Sequence, residues 1–193
     1  QAGAGEALNA CGLPIHFLDF ETIKFTIPIW KGTRPFQQIP FQFSVHRLGP
    51  GGKLDHREFL DLSGDDPSKI LAKELLAACE GRGTVFAYNA SFEKTCIREL
   101  AERVPRYRKP LLDLCERIQD LRPIAEAHYY HPSQQGSWSL KSVLPAIAPD
   151  LDYETLDGVK DGGMAMNAYL EAIALTTTVQ RREAIEQELK RYC

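Results

Sequence analysis

The sequence predicts an α/β domain in which a mixed sheet, three antiparallel strands followed by parallel strands, is flanked by helices. Strand-like patterns dominate the first third of the chain, where turn-forming residues separate three candidate strands. A short apolar segment at 84–88 then lies between two segments with helical spacing of apolar residues, at 68–79 and 91–104. Further helical patterns fill the remainder, so helices are expected to cover the sheet.

The first three strands are predicted from alternation and turn chemistry. Residues 15–22 (IHFLDFET) form a short apolar run that ends in acidic residues, and residues 39–48 alternate apolar and polar side chains. The tetrapeptide at 49–52 (GPGG) is a strong turn signal, after which residues 54–62 return as a third strand. This succession predicts an antiparallel meander.

The later elements are predicted in the order helix, strand, helix, strand, then helices. After the helix at 91–104 we expect a second helix-to-strand passage at 111–122 and a loop rich in turn formers at 128–137. Three further helices are expected at 140–147, 163–175 and 179–192. The complete order, three strands and then alternating helices and strands, matches an RNase H-like layout.

Bulk properties restrict the class of protein. The chain has 193 residues, which suits one domain, and a net charge of −3 that gives no global attraction to nucleic acid. No segment approaches the roughly 18 apolar residues that span a bilayer. Five scattered cysteines without a CxxC pair predict reduced thiols and a cytoplasmic protein. Residues 1–14 are interpreted as a linker that leads into a domain at 15–193.

A pair of carboxylates on the first strand is the first candidate site. Asp19 and Glu21 are two residues apart at the end of an apolar strand, so both side chains point to one face of the sheet. Two adjacent carboxylates repel each other, and a divalent cation relieves that repulsion. Hard oxygen ligands of this kind suit Mg²⁺ or Mn²⁺.

A second candidate carboxylate lies at a strand-to-helix junction. In residues 85–97 (VFAYNASFEKTCI), an apolar strand ends at Asn89 and a helix begins about two residues later. Glu93 falls in the first turn of that helix, where the helix dipole favours a negative charge. A carboxylate at this place can face the end of a neighbouring strand.

The segments DFET and YNASFE together resemble the first two motifs of the DEDD (DnaQ-like) 3′–5′ exonucleases. The second motif of that superfamily is N-x-x-F-D, which this chain matches at Asn89, Phe92 and Glu93 with Glu in place of Asp. The segment at 136–147 and the stretch that begins at Asp161 resemble a narrower, uncharacterised bacterial domain family that is often joined to RecB-like nuclease regions. The resemblance extends from Ile15 to Cys193.

The resemblance implies a metal-dependent 3′–5′ exonuclease that hydrolyses DNA or RNA by a two-metal mechanism. Asp19, Glu21 and Glu93 would be catalytic and would hold two Mg²⁺ or Mn²⁺ ions, and Tyr192 would orient the attacking water. The expected partners are nucleic acid, single-stranded by preference, and a RecB-like nuclease region in the same polypeptide, without membrane contact. Candidate substrate-binding residues are Thr22, Asn89, Trp138 and Lys141.

The fourth acidic ligand of the superfamily has two candidate positions. The narrower family ends in Y-C-x-x-D, and this chain ends at Tyr192 and Cys193, so the expected Asp would follow about three residues later. We therefore expect a C-terminally truncated fragment of a larger protein, which binds at most one metal ion tightly and is nearly inactive if its fourth acid follows Cys193. Asp161 is the alternative, although its place before Gly162 and a helix is typical of an N-cap.

Two other functions remain open from the sequence. An inactive RNase H-like module that binds nucleic acid or a partner would have the same pattern, since a fold does not fix a function. A metal-dependent phosphoesterase that acts on a small nucleotide would use the same carboxylates, and a closed pocket in place of an open groove would favour it.

Overall fold

In a computed structural model, which describes residues 2–151 and 153–193, five strands form one mixed sheet in the order β3-β2-β1-β4-β5. β1, β2 and β3 pair antiparallel, whereas β4 pairs parallel with both β1 and β5. This arrangement confirms the predicted fold class. The strands are β1 (Ile15–Ile23), β2 (Ile39–Leu48), β3 (Leu54–Leu60), β4 (Thr84–Ala87) and β5 (Ile118–Asp120).

Eight α-helices surround the sheet among the described residues: α1 (Ala2–Asn9), α2 (Ser68–Ala78), α3 (Ser91–Arg103), α4 (Arg108–Glu116), α5 (Arg122–His128), α6 (Leu140–Ile147), α7 (Gly162–Ile173) and α8 (Val179–Tyr192). Two of them differ from the sequence prediction. The segment 1–14, interpreted as a linker, contains α1, which packs on α5. α5 lies between the predicted helix-to-strand passage at 111–122 and the predicted loop at 128–137, mostly in residues for which no element was predicted. None of the helices described is both long and apolar enough to cross a membrane.

One face of the sheet is covered by α2, α3 and α4. Leu18 and Phe20 of β1 point to this face and are almost completely buried, together with Phe43 and Val45 of β2. Apolar residues repeat along the three helices at the spacing expected for one buried face. Because alternate residues of β1 serve this core, the intervening side chains must point to the opposite face of the sheet.

The opposite face is covered by α7 and α8 and carries the candidate site. Phe41 stacks on Tyr169 of α7 with ring centroids 4.2 Å apart. The pairing of β1 with β2 skips Phe41, since Glu21 pairs with Gln42 and Thr22 pairs with Pro40. This β-bulge lets Phe41 reach the α7–α8 core while Gln42 donates its amide to the Leu189 carbonyl of α8 at 2.9 Å.

Candidate active site

Asp19 and Glu21 project from the central strand toward α7 and α8. Asp19 pairs across the sheet with Ser44 and stays exposed, whereas Glu21 is buried at 8% exposure. A Cβ atom on Gly162, at the start of α7, would lie 3.9 Å from Glu21 Oε2. Asp19 and Glu21 therefore point to the same face of the sheet, as the sequence predicts, and the start of α7 covers Glu21.

Glu93 is brought beside this pair by the register of two parallel strands. Phe17 of β1 pairs with Phe86 of β4, and β4 ends at the next residue, so the chain turns into α3 close to the level of Asp19. Glu93, in the first turn of α3, is 5% exposed. Its Oε2 is buried and has no hydrogen-bond partner among the described residues.

The turn that positions Glu93 is held by Asp120. The Asp120 carboxylate, at the end of β5, accepts hydrogen bonds from the backbone N–H groups of Asn89 (2.9 Å), Ala90 (3.1 Å) and Arg122 (2.9 Å). Asn89 has a φ of 63°, a left-handed conformation that Asn adopts more readily than most residues. The Asn89 of the motif thus has a backbone role in the turn, and its predicted contact with substrate remains a prediction.

The three carboxyls influence one another through Asp19. Burial, together with the nearby Asp19 charge, raises the pKa of Glu21 to about 8 and that of Glu93 to about 7. Burial also raises the pKa of Asp19 to about 6, although its side chain still reaches solvent. Such mutual repulsion is relieved by a bound cation.

The carboxylates do not meet in one coordination sphere as the side chains stand. Within residues 2–151 and 153–193, no three His, Cys, Asp or Glu side chains are grouped so that they could hold a metal ion. The side chains of Glu21 and Glu93 each contain two methylenes about which they can rotate, and no hydrogen bond from the described residues holds Oε2 of Glu93 in place. Convergence of Asp19, Glu21 and Glu93 on one point therefore stays a prediction for the metal-bound protein.

Two tyrosines lie beside the carboxylates. Tyr192, near the end of α8, meets Tyr153 edge to face with ring centroids 5.7 Å apart. Burial raises the pKa of both phenols, to about 12 for Tyr153, and the Asp19 and Glu21 charges contribute in each case. Both hydroxyl groups therefore keep their protons and are able to donate hydrogen bonds. Tyr192 was predicted from the sequence, whereas Tyr153 was missed because no motif surrounds it.

The two remaining groups near Glu21 are Lys141 and Asp161. The Lys141 ammonium lies close enough to lower the pKa of Glu21, and it donates to the Lys160 carbonyl at 2.6 Å. The Asp161 charge acts in the opposite direction and raises the pKa of Glu21. Asp161 also caps α7, because its Oδ1 accepts from the Met164 N–H at 2.8 Å. The N-cap role predicted for Asp161 is confirmed.

Thr22 and Trp138 have other partners in the structure. Thr22 is buried and donates its hydroxyl to Gln38 Oε1 at 2.9 Å. The Trp138 carbonyl accepts from the Tyr88 hydroxyl at 2.7 Å, and its ring lies 6.4 Å from that of Tyr130. Neither contact involves the carboxylates, so the predicted roles of these two residues in substrate binding stay predictions.

A groove runs past Asp19 and opens to solvent. Its volume is about 280 Å³, and Asp19, Ser44, Tyr88 and Tyr153 are among its lining residues. A second depression of about 450 Å³ shares Tyr153 with it and is also lined by Tyr192. Asp19 thus lies on an open surface and not inside a closed pocket, whereas Glu21 and Glu93 are buried behind it.

Comparison with known families gives one match. The model of the family described as Domain of unknown function (DUF2779) matches residues 16–139, more than half of the chain. The chain belongs to this family. Asp19, Glu21 and Glu93 fall within the DUF2779 match, whereas Lys141, Asp161 and Tyr192 lie beyond it. Searches of curated proteins and of solved structures found no match.

Replacing Glu93 with Gln should separate stability from metal binding. Glu93→Gln removes a buried charge that has no partner, so the metal-free protein should gain about 1 kcal/mol in free energy of unfolding at pH 8. The same variant should lose the increase in melting temperature that Mn²⁺ gives the wild type. Thermal denaturation with and without Mn²⁺ measures both, and Glu102→Gln on the exposed side of α3 is the control. An unchanged Mn²⁺ response in Glu93→Gln would remove Glu93 from the ligand set.

Replacing Asp161 tests whether it does more than cap α7. Asn caps helices about as well as Asp, so Asp161→Asn should keep the wild-type stability, whereas Asp161→Ala should lose about 1 kcal/mol. Urea denaturation of both variants measures the difference. If Asp161→Asn keeps its stability but loses the Mn²⁺ response, then Asp161 belongs to the ligand set and its role is wider than the cap.

Proposed function

We propose that this DUF2779 domain is a metal-dependent 3′–5′ exonuclease of the DEDD type that hydrolyses phosphodiester bonds of DNA or RNA. The observation that carries the proposal is the juxtaposition of Asp19, exposed in an open groove, with the buried carboxyls of Glu21 and Glu93. Three acids placed so that one charge raises the pKa of the other two are an unfavourable arrangement without a cation.

The residues present fit Mg²⁺ or Mn²⁺. Their donors are carboxylate oxygens, which these hard cations prefer, and the unpaired buried Oε2 of Glu93 is a donor atom without a function in the fold. Asp19 would be the shared ligand, with Glu21 and Glu93 on either side. When bound, two such ions supply activation of water and stabilisation of charge on the phosphate oxygens.

The other side chains of the site support the same chemistry. Tyr192 keeps its proton and is suited to orient a water by hydrogen bonding. Lys141 places a positive charge beside Glu21, where a phosphate of the substrate would be attracted. The openness of the groove beside Asp19 supports a polymer end over a small nucleotide as substrate. All five cysteines are free, which supports a reducing, cytoplasmic location.

The alternative is a binding module without catalytic activity. It is favoured by the lack of any ready-made group of three metal-binding side chains in the part of the chain that the structure describes. A domain of this kind would bind a nucleic acid, or a RecB-like nuclease region in the same polypeptide, through the same groove. Retained binding of single strands together with absent cleavage would identify it.

A digestion assay with end-labelled single strands decides between the two functions. We expect a 5′-labelled 20-nucleotide strand to shorten stepwise in Mn²⁺ or Mg²⁺, and not in chelator. A 3′-terminal phosphorothioate should delay digestion, whereas the same group at the 5′ end should not. Parallel DNA and RNA strands determine the preferred sugar. No cleavage of either strand at any metal concentration would favour the binding module, and release from the 5′ end would contradict the proposed polarity.

A further inference from the structure

The loop between β1 and β2, residues 24–38, has an unusual charge distribution. Although the whole chain has a net charge of −3, the stretch 22–54 contains five Lys and Arg and no Asp or Glu. The loop itself holds Lys24, Lys31 and Arg34. Arg34 pairs with Glu99 at 2.7 Å, whereas Lys24 and Lys31 have no acidic partner among the described residues. The ammonium groups of these two lysines are therefore not neutralised by a nearby carboxylate within the described part of the chain.

Specific contacts fix the loop to the domain. The Trp30 indole is buried, donates to the Gly64 carbonyl at 3.0 Å and meets Phe25 edge to face. Arg103 of α3 donates to the Gly32 carbonyl at 3.1 Å. A loop held in this way presents its outward side chains in a defined arrangement, so their exposure is a property of the folded domain.

The outward side chains of the loop are large and apolar. Ile27 is 80% exposed, Ile29 is 54% exposed and Phe36 is 62% exposed. Phe36 also has a φ of 59°, in the left-handed region that an aromatic residue rarely occupies. The fold thus keeps an aromatic ring in solvent at a position where its backbone is strained. Such outliers occur preferentially where a ligand is bound.

The loop is continuous with the candidate active site. It begins directly after the strand that carries Asp19 and Glu21, and its last residue, Gln38, accepts a hydrogen bond of 2.9 Å from Thr22 of that strand. A chain molecule that lies on the loop would therefore approach the carboxylates from one side. The Phe36 N–H donates to the Phe25 carbonyl at 2.9 Å, which brings Phe36 to the part of the loop that holds Lys24. Lysines and an exposed aromatic ring on one surface are the combination that binds single strands, through phosphates and stacked bases respectively.

We infer that the loop 24–38 is a platform that binds single-stranded nucleic acid next to the carboxylates, with Phe36 stacking on a base and Lys24 and Lys31 contacting phosphates. The inference rests on the proposed function for its class of substrate. The positive charge of the loop favours this occupant over an apolar surface of a protein partner, for which two free lysines would be unfavourable to bury.

The test is a binding measurement in chelator, so that digestion does not interfere. Fluorescence anisotropy with labelled 20-nucleotide single strands should show about tenfold weaker binding for Phe36→Ala, the loss of one stacked base, and near wild-type binding for Phe36→Trp. Lys24→Ala combined with Lys31→Ala should lower the slope of log affinity against log salt by roughly 1.4, the contribution of two phosphates on a single strand.

A charge-matched pair at the other end of the sheet is the control. Lys53 precedes β3 and Arg82 precedes β4, both near the level where β1 begins, so the pair lies far along β1 from the loop. Lys53→Ala combined with Arg82→Ala should leave the affinity and its salt dependence unchanged. Phe36→Gly serves as a folding control, because Gly adopts a positive φ without strain. It should keep or raise the melting temperature while it weakens binding as Phe36→Ala does.

The outcomes are distinguishable from those of the digestion assay. Weaker binding in the loop variants with no digestion by the wild type would support the platform and overturn the proposed catalysis. Wild-type binding by Phe36→Ala, or an equal loss in the control pair, would overturn the platform even if the protein digests single strands. If the wild type binds no single strand, the inference also fails, and the exposed apolar surface would be assigned to a protein contact.

Discussion

Asp19→Asn is expected to reduce metal-dependent digestion of single strands by on the order of 10³-fold. Asp19 is the acid whose charge acts on both Glu21 and Glu93, so it is the ligand that two ions would share. Its loss removes several kcal/mol of charge stabilisation in the transition state, which corresponds to a rate factor of about this size. Initial rates of nucleotide release at saturating Mn²⁺ measure the effect.

Asn is nearly isosteric with Asp, so the fold should not change. Asp19 accepts one intramolecular hydrogen bond in the structure, from the Phe20 N–H at 3.0 Å, and an Asn side-chain oxygen can accept the same bond. Asp55→Asn on β3, which changes the same charge where it pairs with Arg47 and Lys53, is the matched control and should digest at the wild-type rate. Equal rates for Asp19→Asn and the wild type would place the chemistry elsewhere in the molecule.

The largest expected loss of stability comes from Asp120→Ala. One carboxylate satisfies three backbone N–H groups, those of Asn89, Ala90 and Arg122. Hydrogen bonds to a charged group contribute about 1.5–3 kcal/mol each, and partial replacement by water lowers the sum, so we expect a loss of about 3 kcal/mol in free energy of unfolding. Because these bonds fix the turn into α3, Glu93 should also lose its position and digestion should fall.

Asp113→Ala is the control for Asp120. Asp113 forms an exposed i,i+4 ion pair with Lys109 at 2.8 Å, so its replacement should cost no more than about 0.5 kcal/mol. Urea denaturation followed by circular dichroism measures both variants. Asp120→Asn, which keeps an acceptor oxygen, should fall between the wild type and Asp120→Ala. A loss below about 1 kcal/mol for Asp120→Ala would show that the turn is held by its own backbone conformation.

Local sequence patterns predicted the strands and the two carboxylates of β1 well. Alternation with a period of two is a property of the strand itself, so the shared face of Asp19 and Glu21 needed no knowledge of the rest of the fold. The place of Glu93 in the first turn of α3 was likewise predictable from the strand-to-helix junction, whereas its role as a ligand comes from the family resemblance and stays a prediction. α1 and α5 were missed because these short segments lack an apolar i, i+3, i+4, i+7 pattern and contain helix-disfavouring residues, two glycines in α1 and a proline in α5. α6 is equally short but has that pattern, and it was predicted.

Long-range neighbours of the site were not predictable from local patterns. Tyr153 reaches Glu21 only because the chain folds back over β1 more than 130 residues further along, and Asp161 was a candidate only through the family resemblance. The bulge at Phe41, which lets Gln42 bond to α8, depends on the pairing of two strands and leaves no signature in either alone. Asp120 accepts its hydrogen bonds from Asn89 and Ala90 only because β5 lies beside β4, and this pairing is likewise not visible in either segment alone.

The position of bound Mn²⁺ in a crystal of the protein tests the central claim most directly. In crystals grown or soaked with MnCl₂, anomalous difference density should show an ion bonded to Asp19 at about 2.1 Å, with a carboxylate oxygen of Glu21 or Glu93 in the same coordination sphere. The side chains of Glu21 and Glu93 should rotate toward it from the positions they have here. Anomalous density that is absent from this groove at saturating Mn²⁺, or that lies only on other residues, would contradict the proposed metal centre.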